Sequence, residues 1–203
     1  MTALKRCAAW PLQAALAALL AACASAPPSV LLTLPPAVSP AAEVAPVSPG
    51  TPRVLAVGRP EIPEYLVARR VRYRAGASTL GEWPDTFWAE RIEVGVGREF
   101  NAALRDHLPG WRLCEANCGD QSPAASLQVT LTRIDYVRGE RHLKASARIS
   151  LWSTERVPRL LHGTESSYDI AGDADTPQSQ AAAMTELLRR VAAEAAASVA
   201  KAP

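Results

Sequence analysis

Two nearby cysteines, Cys114 and Cys118, are the side chains of this 203-residue sequence whose spacing points most directly to chemistry. Three residues separate them, whereas a thiol–disulfide redox motif has two. A zinc site needs further ligands: His107 is near in the sequence, but His142 and His162 fall in predicted strands. We predict a disulfide, because the chain has the features of an exported protein, and no bound metal. Free thiols or a metal site are the alternatives.

The sequence offers no recognisable catalytic constellation. It has no Gly-x-Ser-x-Gly nucleophile motif. Gly95-Val96-Gly97 lacks the third glycine of a dinucleotide-binding loop and follows no predicted strand. Asp173 and Asp175 resemble a calcium loop only in being acidic, and capping of the next helix explains them better. His107 falls in the last turn of a predicted helix, where a cation suits the helix dipole. We therefore predict no enzymatic activity, no catalytic residue and no cofactor.

One predicted strand carries a row of arginines, Arg70, Arg72 and Arg74, that alternate with less polar residues. A period of two gives this strand one basic and one apolar face. The basic face is a candidate surface for anionic lipid headgroups or an acidic partner, and a solvated strand face is the alternative. Trp88 is a further candidate for this surface as an exposed anchor, or else it packs half-buried against the sheet.

The amino-terminal segment, residues 1–22, has the features of an export signal. Lys5 and Arg6 precede an apolar run that extends to Ala22, and Cys23 follows. The run is shorter than the roughly 18 uninterrupted apolar residues of a transmembrane span. The residues before the cysteine, Leu20-Ala21-Ala22, resemble the lipobox of bacterial lipoproteins.

The lipobox resemblance implies that Cys23 becomes the first residue of the mature chain and carries a diacylglycerol and an acyl chain. Several acyl chains on one residue give stable anchoring. Ala24 follows, with no Asp to suggest inner-membrane retention, so the resemblance points to the periplasmic face of the outer membrane of a Gram-negative bacterium. A plain secretory signal with an incidental cysteine is the alternative.

Residues 23–52 contain eight of the seventeen prolines and separate the cysteine from a single globular domain predicted over 53–203. Proline-rich segments favour extended conformations, so we predict a semi-rigid tether. The β-prone residues 30–34 interrupt it and are a candidate edge strand. Removal of 1–22 leaves as many basic as acidic residues, and this balance argues against a general nucleic-acid binder.

Apolar periodicity predicts strands and two helices in the domain. The predicted strands are 54–57, 70–74 with a hairpin partner at 78–83, 127–136 with a bulge near Thr132-Arg133, 143–151 and 160–170. The first helix is predicted to open at Pro84-Asp85-Thr86 and to reach Leu108. The last begins with Thr176 as its cap and Pro177 as its first residue. We predict an α+β fold: a largely antiparallel mixed sheet with two helices packed on one face.

Three segments together resemble the PqiC/YmbA-type auxiliary lipoproteins of MCE-linked transport systems. The first is the lipobox followed shortly by Leu31-Leu32-Thr33-Leu34. The second and most specific comprises Ile62-Pro63-Glu64-Tyr65-Leu66, Val71-Arg72-Tyr73 and Phe87-Trp88-Ala89-Glu90, the last opening the predicted helix. The third is the hairpin from Leu127 to Trp152 with the closing helix. The resemblance covers nearly the whole mature chain.

This resemblance implies a docking subunit of an ABC-type transporter rather than an enzyme. Such an outer-membrane lipoprotein docks the inner-membrane-anchored MCE-domain protein of an intermembrane lipid transport system. A homo-oligomer is expected, because these partners usually meet a symmetric tube, and no nucleic-acid partner is expected. The alternatives are a stand-alone periplasmic lipid-binding carrier, and a pilot or assembly lipoprotein for another envelope complex.

Overall fold

The structure, a computed structural model, describes residues 28–37, 53–115 and 118–201. The predicted signal, Cys23 and most of the proline-rich segment lie outside the described residues. The strands are β1 (Val30–Leu32), β2 (Arg53–Val57), β3 (Arg70–Arg74), β4 (Leu80–Trp88), β5 (Trp111–Glu115), β6 (Ala125–Val137), β7 (His142–Trp152) and β8 (Leu160–Ala171). The helices are α1 (Ile92–His107) and α2 (Pro177–Ala200), and a 3₁₀ turn spans Glu64–Leu66.

The strands form one mixed sheet arranged around β6. On one side, β7 pairs antiparallel with β6 along almost its whole length, and β8 pairs antiparallel with β7. On the other side, β2 runs parallel to the start of β6, and β3 meets its end, where Arg74 faces Val137. β5 is parallel to β2, and β4 and then β1 extend the sheet beyond β3. The predicted α+β class is confirmed.

The edge of β6 that faces β2 and β3 is covered by several parts of the chain in succession. Beyond β2, Glu61 donates a backbone hydrogen bond to Val129 and accepts one from Leu131, at 3.0 and 2.8 Å. Farther along, the Ile134 N–H donates to the Tyr65 hydroxyl over 3.1 Å. A buried backbone N–H or C=O without a hydrogen-bond partner costs free energy, so each part of this edge needs a partner of its own.

The β6–β7 hairpin is the part of the sheet that the sequence pattern predicts best. The inward residues of β7 are buried, as the alternation requires: Leu143, Ala145, Ala147, Ile149 and Leu151. The register between β6 and β7 shifts between Leu131 and Arg133, which confirms the predicted bulge.

The two helices pack against each other, and α2 also lies on β7 and β8. The Thr176 side chain accepts a hydrogen bond from the Ser179 N–H over 3.2 Å, and Pro177 is the first helical residue, so the predicted cap is confirmed. Each helix buries an apolar stripe, formed by Ile92, Val96, Phe100 and Leu104 on α1 and by Met184, Leu187, Leu188, Val191 and Ala195 on α2.

The prediction that Pro84-Asp85-Thr86 opens the first helix is wrong. These residues lie within β4, and α1 begins at Ile92. The β3–β4 register jumps between Arg70 and Arg72, which leaves the opposing residues of β4 as a bulge. Pro84 has no N–H to leave unpaired there, and Asp85 adopts a φ of 45°. A sequence typical of a helix start therefore forms an irregularity within a strand.

Strand β5 was not predicted, because it has little apolar alternation of its own. It pairs in parallel with β2, from Arg53 opposite Trp111 to Val57 opposite Glu115. The Arg53 guanidinium lies 4.4 Å from the centre of the Trp111 ring. Pairing with a buried neighbour, rather than its own pattern, makes this segment a strand.

A buried glutamine joins α2 to the β3–β4 pair. The indole N–H of Trp83 donates to Gln180 Oε1, and Gln180 Nε2 donates to the Arg72 carbonyl, each over 2.7 Å. Trp83 also contacts the Tyr73 ring, with centroids 5.1 Å apart. The amide therefore satisfies two buried polar groups beside the β4 bulge.

We expect Gln180→Leu to lower the free energy of unfolding by about 2–4 kcal/mol, because it leaves a buried donor and a buried acceptor without partners. The measurement is urea unfolding of the soluble domain, followed by tryptophan fluorescence. Gln178→Leu is the matched control, since Gln178 is exposed on the same helix turn, and it should change stability by less than about 0.5 kcal/mol. Equal effects from both substitutions would contradict this account.

Candidate functional site

A buried carboxylate lies at the centre of a polar cluster beside β3. Asp135, on β6, is only 5% exposed. Arg74 Nη2 and Nε lie 2.7 and 3.1 Å from Asp135 Oδ1, and Arg133 Nε donates to Oδ2 over 2.7 Å. The Tyr65 hydroxyl is 3.1 Å from the same Oδ1. The cluster thus ties Tyr65, from the second segment of the family resemblance, and Arg74, which directly follows Val71-Arg72-Tyr73 of the same segment, to the central strand.

The two arginines of this cluster offset the cost of burying the charged Asp135 carboxylate. Burial alone would raise the pKa of Asp135, but hydrogen bonds from Arg74 and Arg133 outweigh it and hold the pKa below its usual range. Burial raises the pKa of the Tyr65 phenol, and the neighbouring Asp135 carboxylate adds to this. The carboxylate therefore stays ionised, and Tyr65 stays neutral, at physiological pH.

The three arginines of the predicted basic face have different surroundings. Arg74 is committed to Asp135. Arg72 and Arg70 share the Glu82 carboxylate, with Nε to oxygen distances of 3.3 and 3.5 Å. Exposed ion pairs of this kind contribute at most about 1 kcal/mol to stability and exchange readily with other partners. Of the three, Arg70 is therefore the most available to an external partner, and a role for this face in binding stays a prediction.

Trp88 is not an exposed anchor, because it is only 6% exposed; the alternative of packing against the sheet describes it better. It ends β4 and forms part of the wall of a cleft of about 300 Å³. Val67, Ala68 and Arg69 lie on one side of this cleft, and residues 89–93 on the other. The Trp88-Ala89-Glu90 segment of the family resemblance therefore shapes a surface cleft instead of opening a helix.

Strand β1 and the residues after it lie next to this cleft. The Ala89 N–H donates to the Leu32 carbonyl over 2.8 Å. Leu34 is buried, and it packs beside α1, where a Cβ placed on Gly95 would lie 3.6 Å from its methyl carbon. The 30–34 island of the proline-rich segment thus contributes to the hydrophobic core.

A second apolar surface lies at the β7–β8 turn. Trp152 faces Leu160 across the two strands, and both are partly or fully exposed. Val157, between them in the sequence, is one of the most exposed large apolar residues described. These three side chains give the turn an exposed apolar surface.

The Cys114–Cys118 disulfide is present in the structure, with Cα atoms 5.3 Å apart. Cys114 belongs to β5, so the bond closes the loop directly after that strand. His107 ends α1, whereas His142 and His162 lie on β7 and β8. Among the described residues, no group of three or more His, Cys, Asp or Glu side chains is placed to hold a metal ion. In the same residues, neither helix has the length and apolar character needed to cross a bilayer.

Sequence reasoning missed the polar residues that hold the domain together. Asp135 lies opposite Lys144, on the face of β6 away from the inward residues of β7, so the alternating pattern gives no sign that it is buried. Glu194, on α2, accepts hydrogen bonds from three hydroxyls of β8: Thr164, Ser166 and Tyr168. These bonds outweigh burial and hold the pKa of Glu194 below its usual value, whereas burial raises that of Tyr168.

We expect Asp135→Asn to lower the free energy of unfolding by about 2–3 kcal/mol, because it removes the countercharge of Arg74. The folded-state pKa of Asp135 is lowered, so its contribution is complete above the unfolded pKa of about 3.9 and is lost as the pH falls towards the folded pKa. Denaturant unfolding between about pH 5 and pH 2 should therefore show a shallower pH dependence in the variant than in the native protein. Asp173→Asn, at an exposed position, should keep the native dependence.

We expect the double substitution of Cys114 and Cys118 by serine to cost about 2 kcal/mol of stability, the loop-closure value for so short a loop. Intact-mass measurement of the exported protein should show no alkylation of these two thiols until a reductant is added. Alkylation without reductant would mean that the thiols are free in the cell envelope.

The comparisons with known proteins agree with this architecture. The fold is similar to the crystal structure of an uncharacterized protein, with a TM-score of 0.62, 19% identity, and coverage of 86% of this chain and 98% of that one. It is also similar to protein XCC0632 from Xanthomonas campestris, of family DUF330, with a TM-score of 0.60, 15% identity, and coverage of 84% and 93%. No curated protein sequence matches the chain.

A family model matches most of the chain. Residues 32–196 match the family described as ABC-type transport auxiliary lipoprotein component. The match begins at the last residue of β1, before the proline-rich residues 38–52, and ends in α2, so it includes strands β2 to β8. It confirms the resemblance to PqiC/YmbA-type lipoproteins. This chain therefore belongs to the family of ABC-type transport auxiliary lipoprotein components.

Proposed function

We propose that this protein is the outer-membrane component of an MCE-type intermembrane lipid transport system, where it docks the inner-membrane-anchored MCE-domain protein. The observation that carries the proposal is the family match over residues 32–196, which begins nine residues after a cysteine in a lipobox-like sequence. The family is one of membrane-anchored envelope lipoproteins that act with ABC-type transporters, and it is not an enzyme family.

The architecture supports docking more than chemistry or carriage. Two carboxylates with lowered pKa values are held by side chains of the domain itself: Asp135 by two arginines and Glu194 by three hydroxyls. A carrier would need an apolar cavity, but the apolar side of β7 is filled by α2. The surfaces left for contact are the exposed arginines of β3, the cleft beside β1 and the apolar β7–β8 turn.

We expect affinity purification of the lipidated protein from native membranes to recover an MCE-domain protein and its permease, identified by mass spectrometry. Mass photometry of the purified protein should show a homo-oligomer, since the proposed partner is a symmetric tube. A strictly monomeric protein that recovers no MCE-domain protein would refute the proposal. An eluate of this protein with stoichiometric phospholipid would instead support a carrier, and one containing another envelope complex a pilot role.

Cys23→Ser is the control for the anchor. The variant should lose its acyl chains and leave the outer-membrane fraction, because a thiol is the nucleophile that the modification requires. Cys7→Ser is the matched substitution, since Cys7 lies within the predicted signal and should not affect fractionation. Normal outer-membrane fractionation of the Cys23 variant would show that the anchor is assigned to the wrong residue.

A further inference from the structure

The distance along the chain from Cys23 to the folded domain is short. The compact unit of the structure begins at Leu31, eight residues after Cys23. An extended chain spans at most about 3.6 Å per residue, so the lipidated cysteine lies within about 30 Å of Leu31. This inference rests on the lipid anchor of the proposed function.

The start of the domain is fixed to the rest of it from several sides. The Leu32 carbonyl accepts from the Ala89 N–H, and the Ala37 N–H donates to Glu99 Oε2, each over 2.8 Å. The Pro35 carbonyl accepts from the Thr185 hydroxyl over 3.0 Å. Residues 38–52 come after this fixed segment in the chain and therefore add nothing to the reach of the anchor.

The surface around β1 has the composition of a membrane-contacting surface. Leu31 is 60% exposed on a strand that ends the sheet, and the partly exposed Val67 lines the adjacent cleft. Glu90, Arg91 and Glu93 line the same cleft, but Arg91 pairs with Glu93 over 2.7 Å and Glu90 pairs with Arg98 over 2.6 Å. Arg69 is a further exposed cation of the lining. Exposed apolar side chains with an arginine beside them suit the boundary between acyl chains and phosphate headgroups.

We propose that the β1 edge, defined as Leu31, Val67 and the cleft-lining Arg69, rests on the surface of the anchoring phospholipid membrane. The short link from Cys23 keeps this edge close to the bilayer. The apolar β7–β8 turn belongs to the strands on the other side of β6 from β1. In this orientation it is free to contact protein partners.

The test is photo-crosslinking of the full lipidated protein in vesicles of phosphatidylethanolamine and phosphatidylglycerol. A benzophenone amino acid replaces Leu31, Val67 or, as the matched exposed apolar control, Val157, which is 74% exposed. We expect a several-fold excess of phospholipid adducts at positions 31 and 67 over position 157, measured by mass spectrometry. Adducts at 157 equal to those at 31 and 67, or adducts at 31 to a second copy of the protein instead of lipid, would overturn the proposal.

A second measurement tests the length of the tether independently. A site for a specific protease is inserted between residues 26 and 27, or between residues 45 and 46, and the membranes are washed after cleavage. Cleavage at the first site should release the domain, whereas cleavage at the second should leave residues 53–203 on the membrane until denaturant is added. Release after cleavage at the second site would overturn the inference while leaving the anchor intact. If the uncut protein is itself not membrane-bound, the anchor and this inference fail together.

Discussion

The hydrogen-bonding requirement of β6 organises the domain. A central strand has two edges of backbone donors and acceptors, and in a dry interior both must be paired. One edge of β6 is paired by β7 alone. The other is shared by β2, by the backbone around Glu61, by the Tyr65 hydroxyl and by β3. The segment between β2 and β3 thus provides the hydrogen bonds to β6 that a continuous strand would otherwise make. Its Ile62-Pro63-Glu64-Tyr65-Leu66 sequence positions the Tyr65 hydroxyl beside β6.

The buried ions follow from that arrangement. The Tyr65 side chain lies beside β6 where a strand would otherwise pair with it. Its hydroxyl needs a hydrogen-bond partner, which Asp135 provides, and Arg74 in turn pairs with Asp135. Removal of one ion from such a cluster leaves another without its partner, so the cluster is structural even though it is charged. A row of arginines in a sequence is therefore weak evidence for a binding face, because some of the arginines pair with carboxylates inside the domain and others remain exposed.

The sequence predicts the elements whose signals are local, and it fails where tertiary context decides. The alternation of β7, the β6 bulge and the Thr176 cap are local patterns, and all three are confirmed. The start of α1 was misplaced because Pro84-Asp85-Thr86 favours a bulge as well as a helix start, and only pairing with β3 distinguishes them. β5 depends on β2 in the same way. Asp135 and Gln180 could not be found, because their importance comes from partners far away in the sequence.

The position of β1 has a consequence for the order in which an exported chain folds. The hydrogen bond between Pro35 and Thr185 joins residues 150 positions apart, so this contact forms only when α2 is present. Contacts of such separation form late, because a long loop has to close first. In a chain that crosses a membrane from its amino terminus, the segment beside Cys23 is the first to emerge and among the last to dock. The proposed modification of Cys23 therefore takes place on a chain whose domain is still incomplete.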